Sequence, residues 1–196
     1  MSHPLLVVLT GPSAVGKDSL LGRLRSILPA AHFAITATTR PPRTGEKDRV
    51  DYYFHTVPEF EAMIENGDLI EHALVYGDRK GVPRAPIARA LADGKDVLMR
   101  TDIQGARHIK SVAPAAVTIF VAPPSIEELH RRLNDRGADG AEQAALRLKI
   151  ADEEMATAGE FDYTIVNDDL DNCAEEVAAL LKRERARPDR EAVVIG

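Results

Sequence analysis

The sequence predicts an α/β fold: a parallel sheet flanked by helices. Three observations carry this. Short apolar runs at 5–10, 96–101, 117–122 and 162–166 read as strands covered on both faces. Helical patterns separate these runs, as the crossovers between parallel strands require. A glycine-containing loop, Gly11 to Ser19, lies between the first run and an amphipathic helix.

That helix is marked by Leu20, Leu21, Leu24, Ile27 and Leu28 at helical spacing. A further strand or strand pair is expected at 33–38, where Phe33, Ile35 and a threonine-rich stretch have β character. From 36 to about 83 the texture changes. Thr36-Ala-Thr-Thr-Arg-Pro-Pro-Arg43, Gly45-Glu46, Asp51-Tyr-Tyr-Phe54 and a helix near Pro58 to Asn66 read as an insertion between sheet strands. After the Pro123-Pro124 turn, Ser125 and Glu128 form a capping box that launches a helix through Ile126, Leu129 and Leu133. A second helix is expected over about 141–158, and the polar, glycine-containing stretch from Asn134 to Ala141 suits a hinge. A last helix runs from Asp171 to about Arg187 and stops before Pro188; the tail from Pro188 to Gly196 shows no partner.

At 196 residues with 44% hydrophobic content, one domain with a sizeable core is expected. Twenty-five basic and 31 acidic residues give a net charge of −6, which argues against nucleic acid or an anionic membrane as partner. Any phosphate site must therefore be locally basic. The single Cys173 excludes an internal disulfide, and no Cys/His cluster has zinc spacing, which fits a reducing compartment. No apolar run is long enough to span a bilayer, and Met1-Ser-His-Pro leads directly into the first strand without room for a signal peptide. A cytoplasmic location is expected.

Gly11-Pro12-Ser13-Ala14-Val15-Gly16-Lys17-Asp18-Ser19 has the frame of a phosphate-binding loop. Its bare backbone N–H groups can close around phosphates, the positive helix N-terminus lies behind them, and Lys17 can reach the β and γ oxygens of a nucleoside triphosphate. Asp18 stands where a Ser or Thr commonly offers a hydroxyl to Mg²⁺. A carboxylate is a hard oxygen donor, so Asp18 is a candidate metal contact. Ser19 could supply a hydroxyl instead, and a helix-start acid favoured by the dipole is the plainer reading. Arg40 and Arg43, held apart by a Pro-Pro bend, suit a second phosphate, ordinary surface arginines being the alternative.

Six motifs together resemble the guanylate kinase family over roughly residues 4–187. They are Gly-Pro-Ser-Ala-Val-Gly-Lys at 11–17, Thr-Thr-Arg-Pro-Pro-Arg-Thr-Gly-Glu at 38–46, Asp-Tyr-Tyr-Phe at 51–54, Ile-Glu-His-Ala at 70–73, Asp-Ile-Gln-Gly-Ala at 102–106 and Val-Asn-Asp-Asp-Leu at 166–170. The resemblance implies a P-loop nucleoside monophosphate kinase fold with a GMP-binding subregion at about 36–89, a helical lid at about 132–147 and a tail at 188–196 outside the domain. It implies Mg²⁺-dependent transfer of the ATP γ-phosphoryl group to GMP, with dGMP also accepted, giving ADP and GDP in purine nucleotide metabolism, by a monomer or homodimer. By the same resemblance Arg40, Arg43 and Tyr52 would hold the GMP phosphate. Glu71 and Asp102 would accept from the guanine N1–H and 2-amino group, with Thr36 assisting. Lys17 and the lid arginines Arg132, Arg136 and Arg147 would act on the moving phosphoryl group. Residues 11–19 would hold ATP, and Asn167 with Asp168 and Asp169 falls where the family passes the adenine ring. No general base is expected, because the attacking phosphate oxygen is already ionised.

Three places depart from the family's pattern: Asp18 in the loop, the segment 78–82, and Arg100. Asp78-Arg-Lys-Gly-Val82 replaces Asn-Tyr-Tyr-Gly followed by Ser or Thr. Lys80 can replace the second tyrosine on the phosphate as a point charge, but Val82 cannot replace the hydroxyl that meets guanine, so discrimination rests more on Glu71 and Asp102. Arg100 stands where the family has an acid two residues before Asp102. An acid gained at Asp18 and one lost at Arg100 would keep the charge near the metal balanced. A subset of the family is similar at the loop and at 78–82, with Gly-Lys-Asp in the loop and Lys-Gly-Ile/Val-Pro later. Two other readings are open: a ribose 1,5-bisphosphate phosphokinase, whose loop also reads Gly-Lys-Asp-Ser-Leu, and a non-catalytic binding domain on the same fold.

Overall fold

In chain order the elements of the computed structural model begin with β1 (Leu6–Thr10), α1 (Lys17–Ile27), β2 (His32–Phe33), β3 (Thr36–Thr38), β4 (Tyr52–Phe54), α2 (Val57–Glu65), β5 (Leu69–Val75) and β6 (Asp78–Pro83). There follow α3 (Arg84–Ala92), β7 (Val97–Arg100), α4 (Ile103–Val112), β8 (Val117–Ala122), α5 (Ile126–Asn134), α6 (Ala141–Met155), a 3-10 turn at Ala158–Glu160, β9 (Tyr163–Val166) and α7 (Leu170–Arg185). The structure describes residues 3–75, 77–134 and 141–195, the side chains of 141–145 and 147 excepted.

β1 is buried along its whole length because it sits at the centre of a five-stranded parallel sheet ordered β2-β7-β1-β8-β9. Its alternate residues face opposite layers. Leu5, Val7 and Leu9 pack with Leu20, Leu21 and Leu24 of α1 and with Cys173, Ala174, Val177 and Leu181 of α7. On the other face Leu6 and Val8 join Val97, Met99, Ile87 and Ala90 of α3, and Ala106 and Ile109 of α4. The carboxyl ends of β1 and β7 carry the Gly11–Lys17 loop and the Arg100–Asp102 turn side by side, with Leu9 in register with Arg100. This edge is where open α/β sheets gather their ligands.

Of the strand or strand pair expected at 33–38, the structure has the pair, split between two sheets. Residues 32–33 close the edge of the parallel sheet, while 36–38 enter a second sheet ordered β4-β3-β6-β5. That sheet has a small core of Ala37, Phe60 and Leu69 under α2, whose start is fixed by a capping box between Thr56 and Glu59. Ile70 and Val82 pass from it into the main-sheet cluster, which also takes Ile87 and Ala90 of α3, while Arg84 at the start of α3 donates to the Gly67 and Leu69 carbonyls.

The box expected at Ser125 is only half formed. Ser125 Oγ accepts from the Glu128 N–H at 3.2 Å, but the Glu128 carboxylate pairs with Arg131 and Arg132, each at 2.7 Å. The helices expected to reach 158 and 187 end at Met155 and Arg185. Among the described residues no helix is long and apolar enough to cross a membrane.

The tail, expected to be without a partner, is docked. Arg190 pairs with Glu184 at 3.0 Å and donates to the Ala115 carbonyl at 3.0 Å, while Val193 and Ile195 pack on the cluster under α3 and α4. Glu184 is only 4% exposed and also accepts from the Tyr163 hydroxyl at 2.5 Å. Arg190→Ala leaves a buried carboxylate short of a cation but still bonded to Tyr163 and Arg187. It is expected to cost about 2 kcal/mol in urea denaturation, more than the half-exposed Arg187→Ala.

Candidate active site

The phosphate loop is shaped by two backbone positions that a sequence pattern alone does not explain. Gly16 has φ 96°, and a Cβ there would lie 2.5 Å from the Asn167 amide nitrogen. Only glycine accepts both that conformation and that approach. Asn167, 6% exposed at the end of β9, uses this amide to donate to the Val15 carbonyl at 2.7 Å, fastening the loop from below. Ala14, with φ 65°, buries its methyl among Leu129, Leu133 and Ala151, so the loop is tied to α5 and α6 as well. No side chain caps α1, leaving its first N–H groups for an anion.

Lys17 donates to the Gly11 and Pro12 carbonyls at 2.5 and 2.8 Å. Burial lowers its pKa to about 8, with Arg100 adding to the effect and Glu154, Asp18 and Asp102 opposing it. Glu154, on α6, accepts from the Ser13 backbone N–H and faces Lys17; burial raises its own pKa. Sequence reading missed it within the acidic run Asp152-Glu153-Glu154. Its helical phase, one turn beyond the buried Ala151, was the available signal.

On the other side of the cleft, Tyr52 is held between two arginines. The Arg100 Nη2 donates to the Tyr52 hydroxyl at 2.8 Å, and its Nε pairs with the Asp18 carboxylate. The Arg40 guanidinium lies 5.0 Å from the Tyr52 ring centroid and 5.8 Å from that of Phe54. Its fork is closed on Glu46 by bonds of 2.9 and 2.8 Å, and Glu46 also accepts from the Arg43 N–H at 2.7 Å. Arg40 is thus oriented by Glu46, whose pKa it lowers, and its fork is committed to that carboxylate; the Arg43 side chain is exposed. Thr36 is buried in register with Tyr52, and Lys80 stands opposite Thr38.

Glu71 on β5 is 5% exposed. The first turn of α4 closes on it because residue 105 is glycine: a Cβ there would come within 2.8 Å of Glu71 Oε2 and 2.0 Å of Thr101 Oγ1. Burial first, and the Asp102 carboxylate second, push the Glu71 pKa up to about 8, with a Thr101 hydrogen bond opposing. Asp102 caps α4, its Oδ1 accepting from the Gly105 N–H at 2.8 Å, so one of its oxygens is committed. Val82, in register with Glu71, is 1% exposed and belongs to the apolar cluster. A buried, raised-pKa carboxyl against a second acid and an apolar wall is suited to accepting from a flat ligand with adjacent N–H donors.

The guanylate kinase family model matches residues 3–184. The chain belongs to the guanylate kinase family. It is 47% identical to a guanylate kinase of Nocardia farcinica over 184 residues, covering 93% of this chain and 95% of that one. It is 42% identical to one from Carboxydothermus hydrogenoformans over 190 residues, covering 97% and 93%. The crystal structure of guanylate kinase from Anaplasma phagocytophilum superposes with a TM-score of 0.80 at 34% identity, covering 97% of this chain and 90% of that chain.

Within this guanylate kinase fold, Arg132 on α5 bonds Glu128 at 2.7 Å and points both guanidinium ends at the Asn167 carbonyl, each at 3.4 Å, which brings it over the strand end behind the loop. Arg136 lies outside the described residues, and Arg147 is on α6 with its side chain outside them. The Asn167 side chain is buried as a brace for the loop. Asp169 caps α7 by accepting from the Asn172 N–H at 2.9 Å. For Mg²⁺ the donor set fits an ion carried mainly by phosphates: among the described residues no three acids or histidines converge. The exposed Ser19 and the Asp18 carboxylate are the loop's oxygen donors, with Arg100 engaging one Asp18 oxygen.

Proposed function

We propose that the protein transfers the γ-phosphoryl group of ATP to GMP, giving ADP and GDP. The observation that carries this reading is the buried Glu71 carboxyl beside Asp102, on a family fold whose phosphate loop is intact. The backbone of residues 11–19 and Lys17 bind the triphosphate, and Asp18 and Ser19 are the loop residues that would hold Mg²⁺. When bound, Mg²⁺ neutralises charge on the phosphate oxygens. Tyr52, Arg40, Arg43 and Lys80 receive the GMP phosphate, which requires Arg40 to share or leave Glu46. Glu71, ionised, accepts from the guanine N1–H and 2-amino group with Asp102, under Thr36. Arg132, with Arg136 and Arg147, supplies charge as it spreads over the moving oxygens in the loose transition state. The attacking phosphate oxygen needs no base, so alignment and exclusion of water do the rest.

Adenine presents no matching donors and leaves Glu71 unpaired, so GMP is expected to exceed AMP in kcat/KM by roughly ten-thousandfold. ADP release assayed with GMP, dGMP, IMP, AMP and ribose 1,5-bisphosphate tests this. Turnover with the sugar phosphate alone, or comparable turnover of AMP, overturns the reading. A sugar-phosphate kinase gives Glu71 no work, and a purely binding role does not account for an intact loop with Lys17 in place; neither is favoured by the family match.

A further inference from the structure

We propose that Arg100 is a further acceptor-phosphate residue, held in place by Asp18, so that this chain grips the GMP phosphate from the central sheet as well as from the inserted segment. The inference rests on the GMP reading above. Arg100 ends β7, next to β1 in the middle of the parallel sheet, and its guanidinium spans the gap between the two halves of the cleft. Nε pairs with Asp18 at the start of α1, and Nη2 reaches the Tyr52 hydroxyl at 2.8 Å. Those contacts leave the Nη1 hydrogens and one on Nη2 to donate. The side chain is 22% exposed, enough to meet a ligand and too little to wander.

Arg100 also sets the phenol. Because Tyr52 oxygen accepts from Arg100, its own O–H is free to donate to a phosphate oxygen. Arg40, by contrast, has its fork closed on Glu46 and also donates to the Pro41 carbonyl. The departures at Asp18 and Arg100 thereby have one cause. A strand-end acid has become an arginine that binds phosphate, and a loop hydroxyl has become the carboxylate that orients it. Asp18 is the positioning residue of the pair.

The bland alternative is an ion pair with one exposed partner, worth little. Calorimetric titration of GMP and of guanosine, without ATP or metal, into wild type, Arg100→Met, Arg100→Lys and Asp18→Asn separates the two, with thermal melts confirming that each variant is folded. Arg100→Met is expected to weaken GMP by about tenfold to a hundredfold, the loss of one or two charge-assisted bonds, with guanosine affinity and the KM for ATP unchanged. Arg100→Lys regains part of the affinity as a point charge, and Asp18→Asn loses several-fold for GMP with guanosine affinity unchanged. Equal GMP affinity in wild type and both Arg100 variants overturns the proposal, as does a parallel fall in GMP and guanosine affinity. An Asp18→Asn defect confined to ATP and Mg²⁺ overturns the positioning role. Failure of the wild type to bind GMP sinks the underlying reading, which is a different outcome from a wild type that binds and variants that do not care.

Discussion

Glu71→Gln is expected to abolish GMP phosphorylation while making the protein more stable. The two effects have one source. Burial and the neighbouring Asp102 push the folded pKa up to about 8, against an ordinary glutamate value of 4.5. Between those values the native state keeps a proton that the unfolded chain has lost, so stability falls as pH rises through the window and the full cost is present above pH 8. At pH 7 that cost is on the order of 3 kcal/mol, and a glutamine, which never ionises, does not incur it. Urea denaturation should show the variant more stable at pH 7.5 and the difference gone near pH 4.5. Turnover moves the other way: the glutamine amide sets an N–H₂ against guanine's own donors, and kcat/KM for GMP is expected to fall by roughly ten-thousandfold. In the wild type, GMP binding to the ionised carboxylate releases a proton and tightens as pH rises towards 8. Calorimetry in buffers of different ionisation heat measures that release directly. A Gln variant that is less stable at pH 7.5, or that still phosphorylates GMP, would show that Glu71 is a packing residue.

Much of this arrangement was legible in the sequence, for identifiable reasons. Leu6–Thr10, Val97–Arg100 and Val117–Ala122 are covered on both faces and stood out as apolar runs, as did Tyr163–Val166, although this edge strand leaves Thr164 and Val166 exposed. The phosphate loop was legible because its chemistry is local, confined to successive backbone groups and one lysine. Long-range pairing was not. The Arg190–Glu184 contact joins a tail to one face of a charged helix, and nothing in either segment names the other; the apolar Val193 and Ile195 were the only hint that the tail is covered. That the pair at 33–38 divides between two sheets was hidden because Thr36–Thr38 has the same β character as the edge strand before it. Asn167 was recognised as part of a motif, but its side chain turns inward to Val15 because Gly16 leaves it room, a fact of packing rather than pattern. The oppositely charged departures at Asp18 and Arg100 were visible separately and as a balance of charge. Their direct contact, and the third member Tyr52, needed the fold.

Lys17→Met is expected to lower kcat by about a thousandfold or more while leaving GMP affinity intact, because the lost charge acts on the transferring phosphoryl group rather than on the acceptor. The pH profile identifies the same residue without a mutation. Lys17 has a pKa lowered to about 8, chiefly by burial, so above that pH the free enzyme loses the ammonium that the triphosphate needs. Glu71 titrates in the same range but must lose its proton to receive guanine. With GMP saturating, kcat/KM for ATP should therefore fall as pH rises past 8; with ATP saturating, kcat/KM for GMP should rise up to the same pH. The two limbs belong to different substrates and different residues. Glu71→Gln should leave the ATP limb in place, and Lys17→Arg, whose guanidinium stays charged, should retain whatever activity it has without an alkaline fall. An ATP limb that survives unchanged in Lys17→Arg would assign the fall to another group. If it disappears, the ammonium that rests on the Gly11 and Pro12 carbonyls in the free loop is the one that meets the triphosphate.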